Sequence, residues 1–370
     1  MIFSYWENKT WLSNIDFVVV GSGIVGLNCA LELRTKHPKS KIVVLEKGLI
    51  PHGASSRNAG FACFGSITEI ISDLETHSPS EVYELIQKRV LGLSRLRKLL
   101  GDKQIKYKQS GGNEIFLKDD FEKLHSSLAK IQDINKLIEP LFNDKVFELN
   151  KNKFNFQNTL DEVIFNKFEG QIDTGEMMDT LLNKAYKSNI RIINNVSVES
   201  YEDIGPSVKV YTNQFTITCN KLFIATNGFS ESIIQEKVVP ARAQVLITKP
   251  IKNLKVIGTF HFQQGYYYFR NIDDRILLGG GRNLDFHIEN TNQFGVTDTI
   301  QSKLEQLLTD VILPQSNFEI EQRWSGIMGI GNKKTTITKQ LSNNVYCGVR
   351  LGGMGVAIGT NIGSELANLI

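Results

Sequence analysis

The stretch from Asp16 to Glu46 constrains this chain more than any other. Asp16-Phe17-Val18-Val19-Val20 is a short, β-branched apolar run of the kind that forms a strand buried on both faces. Gly21-Ser22-Gly23-Ile24-Val25-Gly26 follows at once. Leu27 to Arg34 then supplies good helix formers, with Leu27, Leu31 and Leu33 for packing, and a second buried strand from Lys41 to Leu45 ends in Glu46. Each part has a mechanical reason. Gly21 permits a tight turn, Gly23 lets a pyrophosphate approach the backbone, and Gly26 lets the helix pack closely on the strands. The helix N-terminus offers that pyrophosphate unpaired N–H groups and a positive dipole end. Glu46, 20 residues beyond Gly26, can accept hydrogen bonds from the ribose hydroxyls of an adenosine, and its charge repels a 2′-phosphate. The glycine pattern alone is weak, but strand, helix, second strand and acid in register predict a dinucleotide site.

At 370 residues the chain is long for one core, so two domains or one interleaved pair is expected. A 41% hydrophobic and 22% charged composition is ordinary for a soluble globular protein. The net charge of +3 is spread along the chain and calls for neither nucleic acid nor an anionic membrane. Basic clusters such as Lys333-Lys334, or Arg95, Arg97 and Lys98, read as solvated faces. Cys29, Cys63, Cys219 and Cys347 are far apart and form no CxxC pair, which points to reduced thiols and a cytoplasmic setting. No histidine spacing suggests a metal site. Phe17 to Ala30, the longest apolar run, is broken by glycines and too short to span a bilayer.

Along the chain, Tyr5, Trp6 and Trp11 make the N-terminal segment too aromatic for a loose tail, and it is expected to pack on the body. Gly53 to Gly60 contains Ser55, Ser56, Arg57, Asn58, Ala59 and Gly60, small residues with two hydroxyls and a guanidinium that let a ligand approach the backbone. Residues 66–100 are helical in period, divided at Ser78-Pro79. Ile105 to Leu117 reads as two short strands around Ser110-Gly111-Gly112-Asn113, Asp119 to Ile138 as a helix, and Asn143 to Phe168 as polar and irregular. Asp173 or Thr174 caps a helix running to Lys187. Ile190 to Val198 and Ser207 to Thr218 look like strands, and Lys221 to Ile224 is a buried strand ending in Ala225-Thr226-Asn227-Gly228, where backbone can meet a cofactor. From Val238 the pattern is antiparallel: Ala243 to Lys249, Tyr266 to Arg270 and Arg275 to Gly280, with Asp273-Asp274 as a hairpin turn. Alternation puts Tyr266 and Tyr268 on one face, Tyr267 and Phe269 on the other. Thr299 to Ile312 is an amphipathic helix. A last strand, Asn344 to Val349, enters a second glycine-rich turn and a terminal helix. Two such turns at opposite ends of one chain suit a long cofactor held at both ends.

Taken together these pieces resemble the FAD-dependent D-amino acid oxidase superfamily, the group of glycine oxidase, sarcosine oxidase and related amine dehydrogenases. The resemblance covers nearly the whole chain. It rests on Gly21-x-Gly23-x-x-Gly26 with Glu46, on Ser55-Ser56-Arg57-Asn58-Ala59-Gly60, and on Val239-Pro240-Ala241-Arg242-Ala243-Gln244. Ile276-Leu277-Leu278-Gly279-Gly280-Gly281-Arg282 and Gly353-Met354-Gly355 complete it. It implies an α/β fold in which a Rossmann-like FAD domain (1–76, 151–242 and 321–370) is interrupted by a substrate domain (77–150 and 243–320) with a mixed, largely antiparallel sheet. FAD would be held without a covalent bond, since no cysteine lies near Gly326; Cys347 is the thiol closest to the last glycine loop. Gly21, Ser22, Gly23, Ile24, Val25, Gly26, Glu46 and Lys47 would bind the ADP half, with Val198 near the adenine. Ser55 to Gly60, Ala225 and Thr226 would line the flavin domain. Gly353, Met354, Gly355 and Val356, at a helix N-terminus, would face the flavin's electron-poor edge and stabilise its anionic reduced form.

The implied activity is hydride removal from the carbon beside an amine, giving an imine that hydrolyses. The partners would be a small amine or amino acid and dioxygen or another electron acceptor. Arg350, Tyr268, Tyr266 and Arg57 are the candidate substrate-side residues. Three departures from the family pattern stand out. Ser325-Gly326-Ile327-Met328 has a methionine where amino acid oxidases carry a carboxylate-binding arginine, and the place of the sarcosine oxidases' carboxylate-binding lysine falls close to Ala357. Their oxygen-assisting lysine is replaced near Leu277. Arg350 could reach the cleft, and needs an anion if buried: a substrate carboxylate, an internal acid, or instead a surface position. Two other readings stand beside this one. A nicotinamide dehydrogenase explains Gly21 to Glu46 but not the closing loop, and a flavoprotein acting on a non-amine substrate or lacking independent activity explains the missing anchors.

Overall fold

The computed structural model describes residues 2–370. Strand Ile15–Val20 lies inside a sheet because both of its faces are apolar. It pairs in parallel with Ile42–Leu45 on one side and Thr216–Ile224 on the other. Arg191–Ile193 extends the sheet beyond Ile42–Leu45, and Val345–Val349 extends it beyond Thr216–Ile224, both in parallel. Ile337–Ser342 closes one edge as an antiparallel hairpin, and Val198–Asp203 and Val208–Thr212 form an antiparallel ribbon on Thr216–Ile224. Phe17, Val19, Ile42, Val44 and Phe223 face a layer of helices. Val18, Val20, Val43, Leu45 and Leu222 face the ribbon. Each such residue, fully removed from water, contributes about 1.5–3 kcal/mol.

Three helices stack over the first face. Ile24–Lys36 packs on the C-terminal helix Gly355–Ala367, which in turn packs on Pro79–Leu100. The contacts are backbone to backbone. A β-carbon on Gly363 would lie 2.6 Å from the Val25 carbonyl oxygen, and one on Gly92 would collide with that of Ala357. Arg95 adds hydrogen bonds to Asn361 Oδ1 at 3.1 Å and Ser364 Oγ at 3.2 Å. Arg95 is exposed, as a solvated basic face predicts, and also braces this helix contact.

The second sheet runs in the order 320–330, 239–248, 275–280, 267–272, 259–262, 112–117, 159–166, 147–151. Its pairings are antiparallel except between Thr259–Phe262 and Gly112–Leu117. The hairpin turn is where the acids predict it, with Ile272 opposite Arg275 and both Asp273 and Asp274 at positive φ. Tyr267 and Phe269 enter the apolar core with Phe260 and Phe262.

Several expectations are corrected. Residues 143–168 are not irregular: Phe147–Lys151 and Thr159–Asn166 are strands. Phe147–Lys151 is an edge strand with all but its first residue exposed, so it lacks the apolar run that marks a buried one. Ile105 to Leu117 gives one strand, Gly112–Leu117, while 105–111 forms turns with a bridge from Lys108 to Gln171. The single strand expected over Ser207 to Thr218 is two, joined by a turn at Asn213 and Gln214. The N-terminal segment does pack on the body, through Leu12, a Phe3–Phe215 ring contact at 5.4 Å and an Arg191 hydrogen bond to the Thr10 carbonyl, but not through Tyr5 and Trp6, each 67% exposed. Thr159–Asn166, Val239–Thr248 and Ile320–Ile330 run in the second sheet, while Pro79–Leu100 packs against the C-terminal helix.

The Gly92–Ala357 contact sets a stability test. Gly92→Ala must push two helices apart, so the unfolding free energy should fall by about 1–3 kcal/mol. Urea titration measures it, and an unchanged midpoint would show that the helices separate freely.

Candidate functional site

A cavity of about 710 Å³ opens where the carboxyl ends of Ile15–Val20, Ile42–Leu45 and Thr216–Ile224 meet the second sheet. This is the position at which open α/β sheets bind their ligands. Gly21, Gly23, Ile24, Val25, Glu46 and Lys47 line one end. Gly26 does not; a β-carbon there would strike the Gly21 carbonyl oxygen, so its role is close packing of helix on turn. Ser22 is also absent from the wall. Its N–H and Oγ–H donate to Glu46 Oε2 at 3.0 and 2.7 Å, while Gly48 N–H donates to Oε1 at 2.9 Å. Ser22 thus orients the acid rather than facing a ligand. Lys47 Nζ sits 3.3 Å from the Phe229 ring centroid, and burial lowers its pKa against the pull of Glu46. Val198 and Val196 form the adjoining apolar wall, beside Ala225 and Thr226. Thr226 Oγ1 is buried with no hydrogen-bond partner.

Ser55 Oγ accepts from Ile24 N–H at 2.9 Å, at the helix N-terminus. Ser56 faces away, donating to the Pro51 carbonyl at 2.6 Å, and is not a wall residue. Asn58 locks the next turn: its side chain donates to Ser55 O at 2.7 Å and accepts from Gly60 N–H at 2.9 Å and Thr174 Oγ1 at 3.0 Å. Ala59 and Gly60 line the cavity beside it. Arg57 lines it too, donating to Ser325 O at 3.1 Å and lying 4.4 Å from the Phe294 ring centroid.

From the far end of the chain come Gly353, Met354, Gly355 and Val356, at the N-terminus of the C-terminal helix. Asn227 Oδ1 holds this loop by accepting from the N–H groups of Arg350 (3.1 Å) and Leu351 (3.2 Å). The Arg350 side chain is not in the cavity. Its backbone is left-handed at φ 64°, and Nε donates to Thr335 O at 2.8 Å. Of the three roles open to Arg350, the outward position is the one observed. Cys347 is buried in the strand core.

The second sheet supplies the opposite wall, including Tyr266 and Tyr268. Tyr268 is half-buried on the cavity wall, and desolvation pushes its phenol up to about 12. Sheet register pairs it with His261, which therefore faces the same side. His261 Nε2 lies 2.5 Å from Glu169 Oε1. Burial opposes protonation of His261, but Glu169, Glu69 and Glu114 outweigh it and hold its pKa at about 9. Glu114, behind this wall, is raised by burial to about 7 despite accepting from Thr68 N–H and Oγ1. Glu69, His261 and Arg282 all line the cavity, and none is a site candidate from sequence. Alternation along Tyr266 to Arg270 identifies the face, but only cross-strand register brings His261 onto it. The glycine cradle, two helix N-termini, the buried Glu46 and the unpartnered Thr226 hydroxyl fit an FAD molecule lying along this cavity.

The His261–Glu169 pair carries a pH signature. A raised histidine pKa adds stability fully below the ordinary value of 6.5, lost as pH rises through about 9. The Tm difference between the wild type and His261→Gln should be largest at low pH and shrink across that window; a constant difference would refute the ion pair. Glu46→Ala should retain less FAD through gel filtration than the wild type. The flavin should also leave the denatured wild-type chain, and flavin staying on that chain would identify a covalent bond.

Comparisons with known proteins agree with this geometry. The chain is 21% identical over 397 residues to the probable oxidoreductase OrdL of Haemophilus influenzae, covering 98% of this chain and 84% of that protein. L-proline dehydrogenase from P. horikoshii superposes with a TM-score of 0.75 at 19% identity, over 96% of this chain and 93% of that one. Glycine oxidase from Bacillus cereus superposes at 0.76 with 16% identity, over 96% and 94%. The family described as DAO, FAD dependent oxidoreductase, matches residues 16–369. With a glycine cradle at one end, a helix N-terminus at the other and that match spanning both, the chain belongs to the DAO family of FAD-dependent oxidoreductases.

Proposed function

We propose that this oxidoreductase acts on a small amine or amino acid, oxidising the carbon beside nitrogen to an imine that then hydrolyses. The observation that carries this reading is the wall of Tyr266, Tyr268, His261 and Phe61 across the cavity from the glycine loop Gly353–Val356. The similar structures named above support it, being described as an L-proline dehydrogenase and a glycine oxidase. FAD, when bound, supplies the hydride acceptor.

The chain's own residues do the rest. Phe61 and Tyr268, edge to face with centroids 5.5 Å apart, exclude water and restrict the orientation of the C–H bond. The N-terminus of Gly355–Ala367 favours negative charge beside it. Against the cost of burial, the charge of the paired Glu169 raises the His261 pKa to about 9 and favours the imidazolium form on this wall. Glu46 and Lys47 would hold the cofactor's ADP half, with Val198, Ala225 and Thr226 on its flanks and Ser55, Asn58, Ala59 and Gly60 along its length. No helix among the described residues is long and apolar enough to cross a membrane.

The test is anaerobic mixing of the FAD-loaded protein with amines, amino acids, hydroxy acids and nicotinamides, followed by readmission of air. Bleaching of the flavin by an amine or amino acid is expected. Bleaching by hydroxy acids or nicotinamides alone would replace the amine reading. Recovery of colour in air identifies dioxygen as an acceptor, and persistence of the bleached form points to another.

A further inference from the structure

We propose that the end of the molecule opposite the cavity docks on the anionic surface of a lipid bilayer, with Trp6 and Trp11 entering the headgroup region. Lysines and arginines without acidic partners face the charged lipids. This stands apart from the amine reading and does not depend on it.

The net charge of +3 is spread along the sequence and by itself calls for no such surface. The fold gathers part of it. Strands Ile42–Leu45 and Arg191–Ile193 pair in parallel, so Lys41 and Arg191 stand at their amino ends, while the cavity opens at the carboxyl ends. Burial and then the neighbouring Arg191 lower the Lys41 pKa, as expected of two cations held close together, and Asp16 offsets part of the effect. Arg34 donates to the carbonyls of Pro38, Ser40, Ser188 and Asn189. That clasp brings the turn bearing Lys39 against the end of helix Thr174–Lys187, whose last turn carries Lys184 and Lys187. None of these cations, nor Lys9, takes part in an ion pair among the described residues. Glu7 and Asp16, the acids of the N-terminal segment and first strand, each accept from a backbone N–H at 2.7 Å, of Ser4 and Lys41 respectively.

Exposed apolar groups lie beside this charge. Trp6 and Trp11 are two of the chain's three tryptophans, 67% and 46% exposed, and Ile2 is fully exposed. The segment that bears them is held in place. Ser4 and Glu7 form a capping box, the Phe3 ring lies on Phe215, and Leu12 reaches the core. Lys41 and Arg191 donate to its carbonyls at Ser13 and Thr10. Lys9 Nζ lies 5.7 Å from the Tyr5 ring centroid and 5.9 Å from that of Trp6, so cation and rings share one surface. Tyr186, half exposed, stands between Lys184 and Lys187. Indole and phenol rings have an apolar body and a polar edge, and lysine has an apolar stem under its charge. Both suit the boundary between headgroups and hydrocarbon.

Charge and apolarity together decide the occupant. A second copy related by a twofold axis would set this cationic end against itself. Nucleic acid would take the cations and stack on the rings, but it offers nothing to Ile2. An anionic bilayer answers all three, with acidic headgroups for the cations, an interface for the indoles and an apolar boundary for Ile2. Docking at this end leaves the cavity mouth, at the other end of the strands, facing water.

The test is co-sedimentation of the FAD-loaded protein with vesicles of phosphatidylcholine alone and of phosphatidylcholine mixed with phosphatidylglycerol. The protein should pellet with the mixed vesicles, lose that binding as salt screens the charges, and stay in solution with phosphatidylcholine alone. Tryptophan emission should shift to the blue on binding. The apparent dissociation constant should rise about tenfold or more when Lys39→Gln, Lys184→Gln and Lys187→Gln are combined, and likewise for Trp6→Ser with Trp11→Ser. Trp6→Phe with Trp11→Phe should still pellet but lose the blue shift, which assigns that shift to these two rings rather than to Trp324. FAD content should be the same throughout. No pelleting with mixed vesicles, equal pelleting with both kinds, unchanged affinity in either weakened variant, or a blue shift that survives in the phenylalanine variant would overturn the proposal. It also falls if vesicles are not bound while the same substitutions abolish binding of a labelled oligonucleotide or a concentration-dependent dimer, which would make nucleic acid or a second copy the occupant.

Discussion

The backbones of two helices touch, and the site depends on that contact. Ile24–Lys36 and Gly355–Ala367 approach so closely at Gly363 that no side chain fits between them. Their N-termini therefore emerge side by side at one cavity, although residues 24 and 355 stand at opposite ends of the chain. Each terminus carries unpaired N–H groups and the positive end of a helix dipole. A ligand with a negative group in its middle and an electron-accepting ring at one end meets both. The third helix, Pro79–Leu100, holds the C-terminal helix in this position through Gly92 and Arg95.

On the other side of the cavity, geometry is fixed by buried charge. Arg242 and Glu289 form a two-pronged ion pair, extended by Gln244 to Thr297. It ties the segment after Arg282 to strand Val239–Thr248 of the second sheet. A buried pair of this kind is not a strong source of stability, since desolvation offsets much of the attraction. Its effect is positional: it fixes how the segment 285–297 lies over the sheet. The His261–Glu169 pair does the same for the inner wall, where Thr259 Oγ1 also donates to Glu169 at 2.6 Å.

Much of this was legible in the sequence, for physical reasons that also mark its limits. Asp16 to Glu46 could be read because strand, turn, helix and acid each depend on local residue chemistry. Tyr266 to Phe269 could be read because a strand alternates faces by geometry alone. Phe147–Lys151 could not, because an edge strand exposed to water has no apolar signature. Ser22 and Ser56 were misread for a different reason: a hydroxyl in a ligand-binding turn serves equally well to brace its neighbours, and only its partner decides. Arg350 shows the same limit, since one left-handed residue reverses where its side chain points. His261, Glu69 and Arg282 come from a strand, a helix and a short turn that only the tertiary fold brings together.

The cavity draws its walls from both ends of the chain, and this bears on how the protein is made. The first glycine turn is complete once residue 26 has been translated, but the facing loop is contributed by residues 351–357. Strand Val345–Val349 must also insert beside Thr216–Ile224 before that loop can take its place. A nascent chain on the ribosome therefore has half a pocket until residues 351–357 have emerged. Cofactor enclosure waits until the helix Gly355–Ala367 has docked, and free FAD meets a complete cradle only after that step.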